Sequence, residues 1–118
     1  RLFDTRLTEP HGAIEVTKQR YSGDDNVVRV RVTGTGGVPS EGVGMVALNV
    51  TAVDPAGPGY VTVYPCGARP VVSNVNFGGP GVYPNAVITP VSDAGEVCFY
   101  SKVPTDLIAD VNGWFAAP

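Results

Sequence analysis

Glycine or proline breaks the apolar runs of this chain at intervals of roughly six to ten residues, the spacing of short strands joined by turns. An amphipathic helix needs ten or more positions with apolar residues three and four apart, and no stretch supplies them. The side chains agree with that restriction. There are 21 valines against 4 leucines, and branching at Cβ favours a pleated strand over a helix. Fifteen glycines and eleven prolines follow no collagen period; they sit between the apolar runs as turn residues.

The clearest strand signal is at 28–33, where Val28, Val30 and Val32 alternate with Arg29, Arg31 and Thr33. Period two puts the valines on a buried face and the arginines in solvent. Residues 43–53 form a long apolar run, read as an inner strand covered on both faces or a strand with a bulge near Gly44. DPAGPG at 54–59 interrupts it and YVTVYP resumes at 60–65, so the two runs read as a β-hairpin with an extended tip. Further strands are expected at 1–8, weakly at 14–19, and at 71–77, 85–91, 97–101 and 107–115, with SDAGE at 92–96 as a compact turn. The total of about eight to ten strands makes the fold all-β, an antiparallel β-sandwich that includes jelly-roll-like forms. The recurrence of Asn49, Asn74, Asn76 and Asn112 beside apolar positions leaves a β-trefoil or β-prism as the alternative. A chain of 118 residues fits a single domain, 1–118, able to bury about two thirds of its extended surface.

A net charge of −3 with no basic stripe argues against a nucleic-acid partner. No signal peptide or apolar run of transmembrane length is present. The chain opens on Arg1 and closes on Pro118, as expected of a processed or excised piece. Cys66 and Cys98 are the only cysteines, each beside a strand-like run. A disulfide is the expectation, with two reduced core thiols as the alternative. Closing the loop of roughly 33 residues would stabilise the fold by about 3–4 kcal/mol, and a disulfide suits an oxidising, extracellular compartment.

Chemistry-bearing groups are sparse. His11, the single histidine, stands in a turn between Pro10 and Gly12. Ser22, Ser73 and Ser92 lack a nucleophile-elbow context. Asp106 and Asp110 have the spacing of a shared strand face, but a glycosidase also needs a substrate cleft between its carboxylates; a structural role is the simpler one. Arg6 is expected to pair with Asp110 and pin the first strand to the last. Asp24, Asp25, Asp54, Asp93 and Glu96 are oxygen donors that could serve a calcium ion, although none follows an EF-hand spacing and no cofactor is required. Asn49-Val50-Thr51 is a glycosylation sequon placed inside an apolar strand, where a cross-strand amide fits better than an acceptor. Tyr60, Tyr64 and Tyr83 border Gly/Pro turns and are the candidate carbohydrate-stacking residues, with Tyr100 nearby in kind and Trp114 expected to close the core.

The pieces RLFDTR at 1–6, GVPSEGVGMVALNVTAVDPAGPGYVTVYPCG at 37–67, SNVNF at 73–77, NAVITPV at 85–91, GEVCFYS at 95–101 and TDLIADVNGWF at 105–115 together resemble a family of β-rich accessory domains in secreted and surface proteins of actinobacteria. The resemblance covers almost the whole chain, with residues 9–26 matching less clearly. It implies a structural framework made by Asp4, Thr5 and Arg6, by Cys66 and Cys98, and by Asp110 to Gly113, including Asn112. No catalytic residue carries over. The function expected is a non-enzymatic carbohydrate-binding or cell-surface adhesion module acting on a polysaccharide or cell-envelope glycan. The alternative is a structural spacer or protein-interaction domain contacting neighbouring domains.

Overall fold

The computed structural model describes residues 1–118. Eight strands follow in chain order: β1 (Phe3–Asp4), β2 (Val28–Arg31), β3 (Val43–Val53), β4 (Gly59–Pro65), β5 (Val75–Phe77), β6 (Val82–Pro90), β7 (Glu96–Ser101) and β8 (Asp106–Ala116). They build two four-stranded antiparallel sheets, ordered β1-β8-β3-β6 and β2-β7-β4-β5. The outermost strands of the sequence pair first, β1 with β8, then β2 with β7, β3 with β6 and β4 with β5. The chain is thus a long ribbon doubled on itself. Only the β4–β5 link stays within one sheet; every other connection crosses to the opposite one.

Alternation sets the core. Val28 and Val30 are buried while Arg29 and Arg31 are exposed. Val46, Leu48, Val50 and Ala52 of β3 join Val61 and Val63 of β4, Val97 and Phe99 of β7, and Leu107 and Ala109 of β8 in one cluster of 21 buried residues. Phe3 and Phe99 meet edge to face across the sheets, ring centres 4.9 Å apart, an orientation that sets the positive ring edge against the negative ring face. Each fully buried Val, Leu or Phe contributes about 1.5–3 kcal/mol of transfer free energy, so this shared cluster is the main cohesive force between the sheets.

Several expectations need correction. The runs at 43–53 and 60–65 are not a hairpin: β3 bonds to β6 and β8, and β4 to β5 and β7. The DPAGPG segment is a corner between sheets, where Asp54 takes a positive φ of 49° and its backbone N–H donates to the Gly81 carbonyl. The register irregularity opposite Gly44 is present, between Val43 and Met45. Residues 14–19 form no strand. Their side chains Ile14 and Val16 pack against the core, while the backbone of Ala13 and Ile14 bonds to the carbonyls of Arg1 and Leu2 rather than to a sheet. The run at 71–77 is a strand only from Val75, because Val72 gives its carbonyl to Thr62 Oγ1 and Asn74 inserts its side-chain oxygen against the N–H of Val63.

Candidate functional site

The N-terminal residues form an ion-paired knot. Alternation turns Phe3 into the core and Asp4 to the outer face of the first sheet, opposite Ile108. Asp4 is nevertheless only 1% exposed. Arg6 forks its carboxylate with Nε at 3.1 Å and Nη2 at 2.8 Å, and Arg1 Nη1 adds a contact at 3.1 Å. Burial alone would raise the Asp4 carboxyl pKa; the Arg6 guanidinium and N–H, with Lys18 nearby, outweigh it and hold the group below its ordinary range. The expected Arg6–Asp110 pair is not formed. Arg6 folds back on Asp4 two residues away, and Asp110 instead accepts from Arg1 Nε at 3.0 Å. Asp106 receives the hydroxyl of Thr5 at 2.9 Å. Both β8 carboxylates therefore have structural partners. Asn112 lies exposed in β8, just before its register shifts against β3.

The disulfide between Cys66 and Cys98 is present, with Cα atoms 5.0 Å apart. It ties the residue after β4 to the middle of β7 on the outer face of the second sheet. Tyr64, directly opposite Cys98, is buried with Cys98 and Tyr100 in a small second cluster. Arg69 lies 3.8 Å above the Tyr100 ring, held there by a fork onto Asp24 at 2.7 and 3.1 Å.

The three candidate tyrosines do not share a groove. Tyr64 is 4% exposed and has no ring face open for stacking. Tyr60 is half-buried on the outer face of the second sheet, beside Tyr100, and borders a shallow hollow with Val71, Val72 and Ser73. Tyr83 faces the other way and packs on Phe77, ring centres 5.8 Å apart. Trp114 does not close the core: it is 42% exposed, although it stands in β8 opposite the buried Val46. His11 is exposed in its turn, and Asn49 occupies a central strand with β6 on one side and β8 on the other.

The carboxylates considered for calcium are occupied or dispersed. Asp24 is held by Arg69, Glu96 by Arg29 at 2.7 Å, and Asp54 accepts the N–H of Gly81. No group of three or more His, Cys, Asp or Glu side chains converges on one point. No helix is long and apolar enough to cross a membrane.

An apolar surface emerges only when the strands are set in register. On the outer face of the first sheet, register sets Phe115, Met45 and Pro90 in one cross-strand row and Gly113, Ala47 and Ile88 in the next, with Ala86 beside them. Phe115, Met45 and Ile88 are 50%, 37% and 58% exposed. No charged side chain occupies either row. The charges begin only at Asp110, where Arg1, Asp4 and Arg6 border the patch. A solvated sheet face ordinarily alternates to polar residues, and contiguous apolar exposure of this kind marks contact surfaces. The signal was in the sequence: the outward positions of VGMVALN and NAVITP are Met45, Ala47, Asn49, Ala86, Ile88 and Pro90, without a charge among them. No family model, curated protein or solved structure matches the chain.

Proposed function

We propose that the protein is a non-catalytic, extracellular interaction module with a jelly-roll sandwich fold, and that it self-associates through the outer face of its β1-β8-β3-β6 sheet. The observation that carries the reading is the uncharged double row of Phe115, Met45, Pro90, Ala47 and Ile88, bordered by the Arg1–Asp4–Arg6–Asp110 knot. An apolar centre with a polar rim is the common anatomy of a protein contact, and a two-fold pair is the commonest way for one surface to meet itself.

The nested pairing of β1 with β8, β2 with β7, β3 with β6 and β4 with β5 supports the jelly roll over a trefoil or prism, as does the single core drawn from both sheets. The disulfide supports an oxidising compartment. The hydrogen bonds that Asp4, Asp106 and Asp110 each already accept support a structural rather than catalytic use of these carboxylates. The resemblance to accessory domains of secreted proteins agrees with a module that contacts other surfaces without chemistry of its own.

Sedimentation equilibrium over about a micromolar to a millimolar tests the proposal. A monomer–dimer equilibrium is expected, with Ile88→Lys and Phe115→Asp each shifting it to monomer while leaving the melting temperature within about two degrees. A monomer over the whole range overturns it, and so does a dimer indifferent to both substitutions.

A further inference from the structure

We infer that the cleft between the 33–42 and 91–95 loops is a binding site for a hydroxyl-rich, uncharged carbohydrate. This site goes beyond self-association and uses other residues. The cleft is open, with a volume of about 470 Å³, and Val43, Val91 and Ala94 supply its apolar lining among polar neighbours. That size falls within the range of small-ligand sites, roughly 300–1,000 Å³.

Its walls are already fixed. In one, Gly34 N–H donates to the Val38 carbonyl at 2.9 Å; the Val32 N–H just before it reaches the Gly95 carbonyl at 2.9 Å and ties this wall to the other. In the other, Gly95 N–H donates to the Ser92 carbonyl at 2.8 Å, and Glu96 N–H donates to Ser92 Oγ at 3.0 Å. A ligand entering such a cleft has little backbone to order, which lowers the entropic cost of binding.

The lining offers charges that the protein leaves unmatched. Arg31 donates only from Nε, to Thr33 Oγ1 at 3.3 Å. Glu96, the acid across the strand pair from it, takes both bonds from Arg29 on one oxygen and feels the Arg31 charge without a direct bond; neither Nη group of Arg31 has a protein acceptor within hydrogen-bond distance. Glu41 and Asp93, on the two walls, take part in no ion pair. The Ser92 hydroxyl, having accepted the Glu96 N–H, still has its own proton to donate.

Donors and acceptors of this kind select the ligand. Guanidinium only donates and carboxylate only accepts, whereas a sugar hydroxyl does both. A phosphate would satisfy Arg31 and face two carboxylates; an organic cation would reverse the conflict. An apolar ligand would strip water from three charges without replacing it. A run of neutral hydroxyls satisfies all of them at once, and charge-assisted bonds to it are the stronger kind.

Amide-resolved NMR titration of the whole 118-residue chain tests this with neutral hexose and N-acetylhexosamine oligosaccharides, free zwitterionic amino acids and inorganic phosphate. At least one neutral oligosaccharide should give saturable shifts at Arg31, Glu41, Gly42, Ala94 and Gly95. Arg31→Gln and Asp93→Asn should each weaken it roughly tenfold, with the remaining spectrum unchanged because both side chains are exposed. The inference is overturned if no oligosaccharide shifts these amides, if both variants bind as well as the parent, or if an amino acid or phosphate saturates the cleft instead.

Discussion

Thr5 and Leu107 hold each other by two hydrogen bonds: the Thr5 N–H donates to the Leu107 carbonyl at 3.0 Å, and the Leu107 N–H donates to Thr5 Oγ1 at 2.9 Å. Thr5 is fully buried, and its hydroxyl proton goes on to Asp106. One side chain thus continues the β1–β8 ladder where the main chain leaves it. Thr5→Val keeps the shape but strands the Leu107 N–H, so it should cost about 1–3 kcal/mol. Thr5→Ser, which keeps the hydroxyl, should cost less. Urea titration would show a lower midpoint at constant slope for the valine variant; equal stability of all three proteins would refute the account.

The Cys66–Cys98 bridge joins residues whose strands are already neighbours, so its effect lies in the unfolded chain, where it closes a loop across β5 and β6. Replacing both cysteines with alanine should lower stability by about 2–4 kcal/mol. The loss should also loosen residues 67–73, whose remaining ties include the Arg69–Asp24 fork, the Arg69 stack on Tyr100 and the Thr62–Val72 bond. Limited proteolysis should then cut first in that loop, near the exposed Val71 and Val72. Unchanged stability with the same cleavage pattern would contradict both points.

What the sequence made legible was local. The alternation of Val28 and Val30 with Arg29 and Arg31 gave the strand and its buried face, because period two is a property of the strand itself. Sheet membership was not legible. Val46 to Ala52 and Val61 to Val63 carry the same apolar pattern whether they pair with each other or face each other across the core, and DPAGPG serves a hairpin tip or a corner equally well. Register was hidden for the same reason, and with it the double row of Phe115, Met45, Pro90 and Ile88, which exists only once β8, β3 and β6 are set side by side. The Arg6 pairing went astray because a guanidinium two residues from Asp4 reaches it locally, without the long-range contact to Asp110 that pinning the first strand to the last would have used. The Arg31 cleft is assembled from loops far apart in sequence, and no motif announces it.

Gly95 sits at φ +78° against Thr33, and an added Cβ would collide with Thr33 Oγ1. Gly95→Ala therefore combines left-handed backbone strain with a steric clash and should cost about 2–4 kcal/mol. Thr33→Ala removes the colliding oxygen, so the double variant should recover part of the loss while the strain remains. A double-mutant cycle from denaturant unfolding would show coupling of about 1 kcal/mol or more. Strict additivity would mean that the damage comes from the backbone alone.

Stability should form a plateau bounded by two different residues. Asp4 has its pKa lowered in the fold, so its contribution is present above the unfolded value near 3.8 and is lost as the pH falls through the folded one. Tyr64 is shifted the opposite way: burial, with Asp24 adding to it, raises its pKa above 10.0. Its contribution is present below the unfolded value and is lost as the pH rises through the folded one. Tyr100, also raised chiefly by burial, steepens the same alkaline limb. Unfolding midpoints in urea should accordingly hold from about pH 5 to 9 and decline outside that window. Asp4→Asn should lower the plateau and flatten the acid limb, since it leaves Arg6 without its charged partner. Tyr64→Phe should flatten the alkaline limb and leave the acid limb in place, because the ring stays packed on Cys98 while the ionisable hydroxyl is gone. An alkaline limb unchanged by Tyr64→Phe would assign that loss to another group and remove Tyr64 from the account.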